Sequence, residues 1–379
     1  MLMKNISKYK VDKGILIPMI LFAIISVVTI YSAQSLLGAD MQNLALKQVV
    51  WYILGFGIAY FIMFIGNDFI YRNIWILYGI GVLSLLGLFF FGTSINEAKC
   101  WYTLPWNLGT IQPSEFMKII LIMTLGSMIQ KFHENFDHPS VMEEFRFLVK
   151  VGIVVGIPSI LTFLQPDTGV VLIYLLITVV MLFISGIRYR WFAFLFGIAA
   201  LAVAVILGIY FINQDLFVKI FGTSFFLRVD RLLDWSSGSG YQLENGISAI
   251  GSGGLFGNGF NQTPVYFPEP QTDFIFAVFG SNFGFIGSLA LISLLIFFNV
   301  KLIMIALKNN SNINKYVIGG IVGMLIYQQF QNIGMTIGLM PITGITLPFI
   351  SYGGSSLLSY MIMVGIIFNI SNETLRYTN

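Results

Sequence analysis

The stretch Thr272-Asp273-Phe274-Ile275-Phe276 sets a carboxylate at the mouth of an apolar run. Ionisable groups at membrane depth are costly, and those found there are functional by default. Partial desolvation would raise the pKa of Asp273 and make it a stronger proton acceptor. The bland alternative is a helix N-cap or first-turn acid, favoured by the positive helix end. Glu115 and Lys118, in QPSEFMKII, stand three residues apart, which puts them on one helix face. Opposite charges there lower each other's desolvation cost, either as a structural ion pair or as the lining of a polar cavity, with Ser114 as a cap. Asp167, in LQPDTG, fits a tight turn between helices beside Pro166 and Gly169. Arg228 and Arg231, in FFLRVDRLLDW, read as a short amphipathic helix on the outer surface. They would hold an anionic head group or pair with Asp230 and Asp234.

Three further features bear on chemistry. GSGGLFGNGF (251–260) lacks the spacing and the preceding strand of a phosphate loop; it reads as flexible backbone that packs close to something. MPITGITLPFISYGGSS (340–356) breaks the start of the last apolar run with two prolines and several glycines. Broken helices at depth line a cavity or are buried in protein, so a cavity near the outer leaflet is expected, with Ser351 and Ser355 on it. His133 and His138 lack metal-ligand spacing and read as solvated. The one cysteine, Cys100, permits no intrachain disulfide and reads as a passive apolar residue.

The elements that must position these residues follow from composition. The chain is 57% hydrophobic and 10% charged over 379 residues, against about 25% charged in soluble domains. Its apolar residues come in long runs, not in the alternation of barrel strands. The expectation is an all-α polytopic membrane protein of about ten transmembrane helices. The spans lie near 14–35, 47–66, 70–91, 114–131, 149–166, 168–187, 191–213, 273–299, 316–339 and 347–371. They form one integral domain, 1–379, with a large extracellular loop, 214–272, between helices 7 and 8. With the N-terminus inside, fourteen of the twenty Lys and Arg fall on cytoplasmic segments, so both termini are expected in the cytoplasm. A net charge of +3 gives no sign of nucleic-acid binding. The suspect residues then face outward, and physics alone leaves an enzyme and a transporter both open.

QPSEFMK, LQPDTG, AIGSGGLFGNGF, TDFIFAVFG and NIGMTIGLMPITGITLPFISYGGSS occur here in the order of the SEDS family of shape, elongation, division and sporulation proteins. The chain resembles that family over nearly its whole length, and LQPDTG and NIGMTIGLMP resemble the elongation branch, RodA, more than the division branch, FtsW. The resemblance implies a peptidoglycan glycosyltransferase that joins lipid II units on the outer face of the plasma membrane by inverting transfer. It places the catalytic aspartate on Asp273, a loop tryptophan on Trp101, and the cavity pair on Glu115 and Lys118. It implies lipid II, an undecaprenyl-linked glycan strand and membrane lipid as binding partners, and a class B penicillin-binding protein as protein partner. Gln271 replaces the family's usual His before Thr272, Lys99 and Cys100 stand where Arg is common, and Ser281 and Asn282 replace two acids.

The expected chemistry is attack of an acceptor sugar hydroxyl on an anomeric carbon, with Asp273 as general base. The leaving pyrophosphate needs positive charge, from Arg228, Arg231, Lys99 or a divalent cation, Mg or Mn. No dedicated metal cage stands in the sequence. A lipid II flippase, a scaffold for the transpeptidase, and the division or sporulation branch are the alternatives.

Overall fold

The computed structural model describes residues 9–38, 41, 43–95, 98–103, 109–223, 225–226, 229–230 and 240–377. Long apolar runs form helices because only an internally bonded backbone is stable in lipid. The helices are α1 (Lys13–Gln34), α2 (Leu44–Ile65), the short α3 (Asn67–Arg72), α4 (Ile74–Phe91), α5 (Pro113–Asn135), α6 (Val141–Leu164), α7 (Thr168–Ile184), α8 (Tyr189–Ile212), α9 (Gln214–Phe221), α10 (Tyr241–Ser252), α11 (Ile275–Lys308), α12 (Asn312–Thr336) and α13 (Gly354–Tyr377). Between α4 and α5, β1 (Thr93–Ile95), β2 (Ala98–Thr103) and β3 (Thr110–Ile111) make an antiparallel sheet in that order.

Ten of these helices match the ten expected spans, and the protein is a multi-pass membrane protein. Seven are long and apolar enough to cross a membrane on their own. Of the rest, α7 has 17 residues, while α5 and α12 carry polar groups. Other helices shield those two: α5 packs on α4, α7, α12 and α13, and α12 packs on α7 and α11. α13 is the hub, 78% buried over its most apolar stretch and laid along α2. α8 is the opposite extreme, with none of its stretch buried.

Boundaries differ from the expectation where a local signal outweighs hydropathy. α6 starts at Val141, not near 149, because Ser140 and Glu143 form a reciprocal capping box in polar sequence. α13 starts at Gly354, not near 347, because 337–353 is non-helical, with Phe349 at φ 68°. α11 holds a kink at Gly284, φ 64°. There the 251–260 segment replaces the helix's own bonding: Phe285 N–H donates to Gly254 O at 2.9 Å, and Asn258 N–H donates to Ser281 O at 2.9 Å. Gly257, φ 88°, lies so close that a Cβ would overlap the Asn282 carbonyl. The close packing expected of these glycines is therefore against the kinked helix.

Both ends of the described chain meet at one end of the bundle. Tyr9 OH donates to Asn369 Oδ1 at 3.1 Å, and Lys301 pairs with Asp12 at 2.9 Å. The sheet, Asp167, Asp273 and the 337–353 segment gather at the other end, bonded to one another as described below. His133 is only partly solvated: it is half-buried, its Nε2 lies 2.8 Å from Ser185 O and its ring stacks on Tyr316, joining α5, the end of α7 and α12.

Candidate functional site

Asp273 stands two residues before Ile275, the first residue of α11, whose N-cap is Phe274, so it neither caps the helix nor sits in its first turn. The carbonyls of three consecutive residues here are each held by another element. Tyr352 N–H donates to Gln271 O at 2.9 Å, Ser351 Oγ donates to Thr272 O at 2.7 Å, and Asn332 Nδ2 donates to Asp273 O at 2.9 Å. The same Asn332 amide donates to Ile345 O at 2.8 Å, and Ser351 Oγ accepts from Leu347 N–H at 2.8 Å. The backbone under Asp273 is thus clamped between α12 and the 337–353 segment.

The carboxylate itself is left open. Among the described residues no hydrogen-bond donor reaches it, and it is half-buried. Gly344, φ 71°, faces it, and even an ideal Cβ there would stay 3.7 Å from Oδ2. Burial among the surrounding groups, and secondarily the charge of Glu269, push the Asp273 carboxyl up to about 7. Its surface keeps some exposure, so solvent screening tempers that shift. A carboxylate that titrates near neutrality is suited to accept a proton from a hydroxyl.

Gln271 and Thr272 turn their polar ends to Glu269: Gln271 Nε2 and Thr272 Oγ1 donate to Glu269 Oε2 at 3.0 and 2.8 Å. Gln271 Oε1 is buried without a partner among the described residues. Glu269 holds φ 53°, a strained value for a side-chain-bearing residue.

A second cluster lies in the bundle core. Lys118, fully buried, donates to Glu115 Oε2 at 2.8 Å, and its ammonium stands 5.2 Å from the Tyr360 ring centre. Tyr360 OH accepts from Gln328 Nε2 at 2.8 Å, while Gln328 Oε1 has no partner among the described residues. Asp167 caps α7 through Val170 N–H and also accepts from Gln112 Nε2 at 2.8 Å and Ser114 Oγ at 3.2 Å. Ser114 thus serves Asp167 and is not the cap of α5, which is Gln112. Burial first, then the charge of Glu115, raise the Asp167 pKa.

The two clusters hang from one stretch. Ser351 grips the Asp273 segment, and four residues on, Ser355 Oγ accepts from Gln112 N–H at 2.9 Å and donates to Thr110 O at 3.0 Å. Lys99 and Trp101 sit on β2, where Lys99 Nζ donates to Phe89 O at 2.7 Å and half-buried Trp101 pairs with Thr93. Cys100 between them is buried, its thiol donating to Gln165 O at 2.7 Å; burial, then Asp167, push it up to about 12, so it stays unreactive. Arg228 and Arg231 lie outside the described residues. Their neighbour Asp230 accepts from Tyr210 OH at 2.7 Å.

Among the described residues no three His, Cys, Asp or Glu side chains come together as a metal site. Sequence reasoning missed Glu269, four residues before Asp273 in the same turn, and Asn332 and Gly344, which lie near Asp273 only through the fold. Asn332 gave one signal, as part of the very polar run Gln328–Asn332 inside an apolar helix.

A family model described as cell cycle protein, covering FtsW, RodA and SpoVE, matches residues 13–376. A probable peptidoglycan glycosyltransferase FtsW of Thiomicrospira cyclica is 34% identical, over 80% of this chain and 75% of its own length. The peptidoglycan glycosyltransferase MrdB of Helicobacter pylori is 33% identical, over 86% and 83%. Among solved structures, RodA of Thermus thermophilus superposes with a TM-score of 0.69 at 25% identity, over 95% of this chain and 96% of its own. A chain from a peptidoglycan synthase complex that coordinates polymerization and crosslinking shares the fold, with a TM-score of 0.77 at 24% identity, over 96% and 98%.

Proposed function

The chain belongs to the cell cycle protein family of FtsW, RodA and SpoVE, and on that premise we propose that Asp273 is the general base of its glycosyl transfer. The protein is a peptidoglycan glycosyltransferase. Its substrate in this reading is lipid II, with a growing undecaprenyl-linked strand as the other reactant, on the outer face of the plasma membrane. The acceptor hydroxyl loses its proton to Asp273 as its oxygen bonds to the donor's anomeric carbon. The bond from that carbon to the lipid pyrophosphate breaks from the opposite side, which inverts the centre.

The single observation that carries this is the half-buried, uncovered carboxylate with a pKa pushed up to about 7, on backbone held at three successive carbonyls. Rigid placement matters because misplacement of about 1 Å can cost on the order of 100-fold in rate. Glu115, Lys118 and Asp167 form the neighbouring cluster, in which Asp167 holds Gln112, Gln112 N–H reaches Ser355 Oγ on α13, and Ser355 in turn holds the Thr110 carbonyl of β3. Arg228, Arg231 and Lys99 are the proposed cationic contacts of the leaving pyrophosphate, and Trp101 is a proposed wall of the substrate site.

The test is polymerisation of labelled lipid II by purified protein in detergent, where no sealed membrane supports transport. Asp273→Asn should lose about 100- to 10,000-fold in rate, the usual contribution of a general base. Near-normal glycan strands from that variant would end the proposal.

The finer placement is the elongation branch, with a class B penicillin-binding protein as partner and both termini cytoplasmic. LQPDTG, NIGMTIGLMP and the shared RodA fold support the branch. The synthase complex that couples polymerization to crosslinking supports the partner, and the Lys and Arg distribution supports the orientation. Depletion in a rod-shaped host should give round cells; filaments would move the protein to the division branch.

A further inference from the structure

The proposed transfer chemistry does not draw on the 251–260 segment, yet its backbone is bonded to α11 at several points. Its height in the membrane can be worked out. The Lys301–Asp12 pair marks the inner edge of the hydrocarbon, where α11 and α1 meet the terminal end of the bundle. From Lys301 back to Phe285 the helix climbs about 24 Å at about 1.5 Å per residue, which is still inside a hydrocarbon core of about 30 Å. The glycine-rich segment is bonded at that level: Phe285 N–H donates to Gly254 O at 2.9 Å, and Ile286 N–H donates to Leu255 O at 3.1 Å.

The two large side chains that follow Gly254 are apolar, while the exposed polar side chain of Asn258 bonds to Ser252 and Ser281 of the protein. Leu255 is 62% and Phe256 80% exposed, in line with the exposed Phe285, Ile286 and Leu289 of α11. The same rise on α1 puts Tyr31 about 28 Å above Asp12, near the outer boundary. Its ring stacks on Phe260, with centroids 5.8 Å apart and planes 16° apart, as aromatic pairs do at membrane boundaries. The backbone is also suited to hydrocarbon. Gly257 N–H donates to Gly253 O at 2.7 Å, Asn258 N–H to Ser281 O at 2.9 Å, and Gly259 N–H to Asn282 O at 3.2 Å. Non-helical backbone is stable at membrane depth only when bonded to protein in this way.

We propose that the 251–260 segment, external in the sequence reading, dips into the outer leaflet and anchors there by Leu255 and Phe256, whose side chains insert among lipid acyl chains about 6 Å below the hydrocarbon boundary. The partner is the lipid itself. The anchor is bonded to the kink of the helix that follows Asp273, so it sets the height of that carboxylate over the bilayer. This last consequence rests on Asp273 as the base; the depth of the loop does not.

The depth is measured with a nitroxide label on Phe256→Cys in a Cys100→Ser chain, Cys100 being the one native cysteine. The full-length protein is placed in phosphatidylcholine–phosphatidylglycerol vesicles, with Leu255→Cys as a second site. An aqueous reference sits at Asp215→Cys on exposed α9. Power saturation should show the labels at 255 and 256 colliding with oxygen and shielded from a water-soluble nickel chelate, and the reference label the reverse. Labels open to the chelate would put the loop in water and overturn the proposal. Labels shielded from both reagents would overturn it in favour of a protein cover, from a second copy or another helix.

Discussion

The pH dependence of the transfer reaction can be worked from one carboxylate. Burial first, and the charge of Glu269 second, push Asp273 up to about 7. A general base acts only when ionised, so about a tenth of the enzyme is competent at pH 6 and about nine-tenths at pH 8. The ratio kcat/KM should therefore rise about tenfold over those two pH units, where an ordinary aspartate would give a nearly flat line. The discriminating perturbation is Glu269→Gln. Glutamine keeps an oxygen to accept from Gln271 and Thr272 but removes the negative charge, so the Asp273 pKa falls and the limb moves to more acid pH. The rate at pH 6 then rises while the alkaline plateau holds. The assay is lipid II polymerisation by purified protein in detergent between about pH 5.5 and 9, with Asp273→Glu as the variant that keeps a titrating carboxylate. A flat profile between pH 6 and 8, or a limb that Glu269→Gln leaves in place, refutes the assignment.

Glu115→Gln leaves the fully buried Lys118 without its carboxylate and should cost on the order of 3–5 kcal/mol in detergent unfolding; adding Lys118→Met should return most of it, and a double variant no more stable than the single one would contradict a buried ion pair. Asn332→Ala frees the carbonyls of Asp273 and Ile345 together. It should lower kcat by about 10- to 100-fold with KM little changed, as misplacement of a base does; a change confined to KM would show that Asn332 serves binding instead. Gly257→Ala combines φ 88° with overlap on the Asn282 carbonyl and should destabilise by roughly 2–4 kcal/mol. Gly251→Ala, which meets nothing within 4 Å, is the control, and equal melting temperatures for the two would remove the close-approach argument.

The hydrophobic runs announced ten helices because each must satisfy its own backbone in lipid. Where local chemistry competes with hydropathy the reading slips. Ser140 and Glu143 begin α6 in polar sequence, and the Gly-Pro-rich run before Gly354 keeps α13 from starting early. Asp273, Glu115 and Lys118 were legible as polar exceptions in apolar surroundings. His133 read as solvated, and its half-buried place was not legible because its partners, Ser185 and Tyr316, lie far along the chain. Asp167 was legible only as a turn, since its bonds to Gln112 and Ser114 cross from another helix.

The sequence by itself determined which segments cross the membrane, that Glu115 and Lys118 share a face, and that an acid stands at the mouth of a helix. Those are local matters of periodicity, spacing and transfer energy. Only the tertiary structure decided what Asp273 is. The local turn brings the charge of Glu269, four residues back, to its carboxylate, but Asn332 holds the Asp273 carbonyl from 59 residues away, Ser351 holds the Thr272 carbonyl from 79 residues away, and Gly344 leaves the carboxylate uncovered. A pKa depends on the charges and the packed volume around a group; here the charge is local, but the packed volume, the larger cause, comes from chain segments that no local pattern in the sequence brings together.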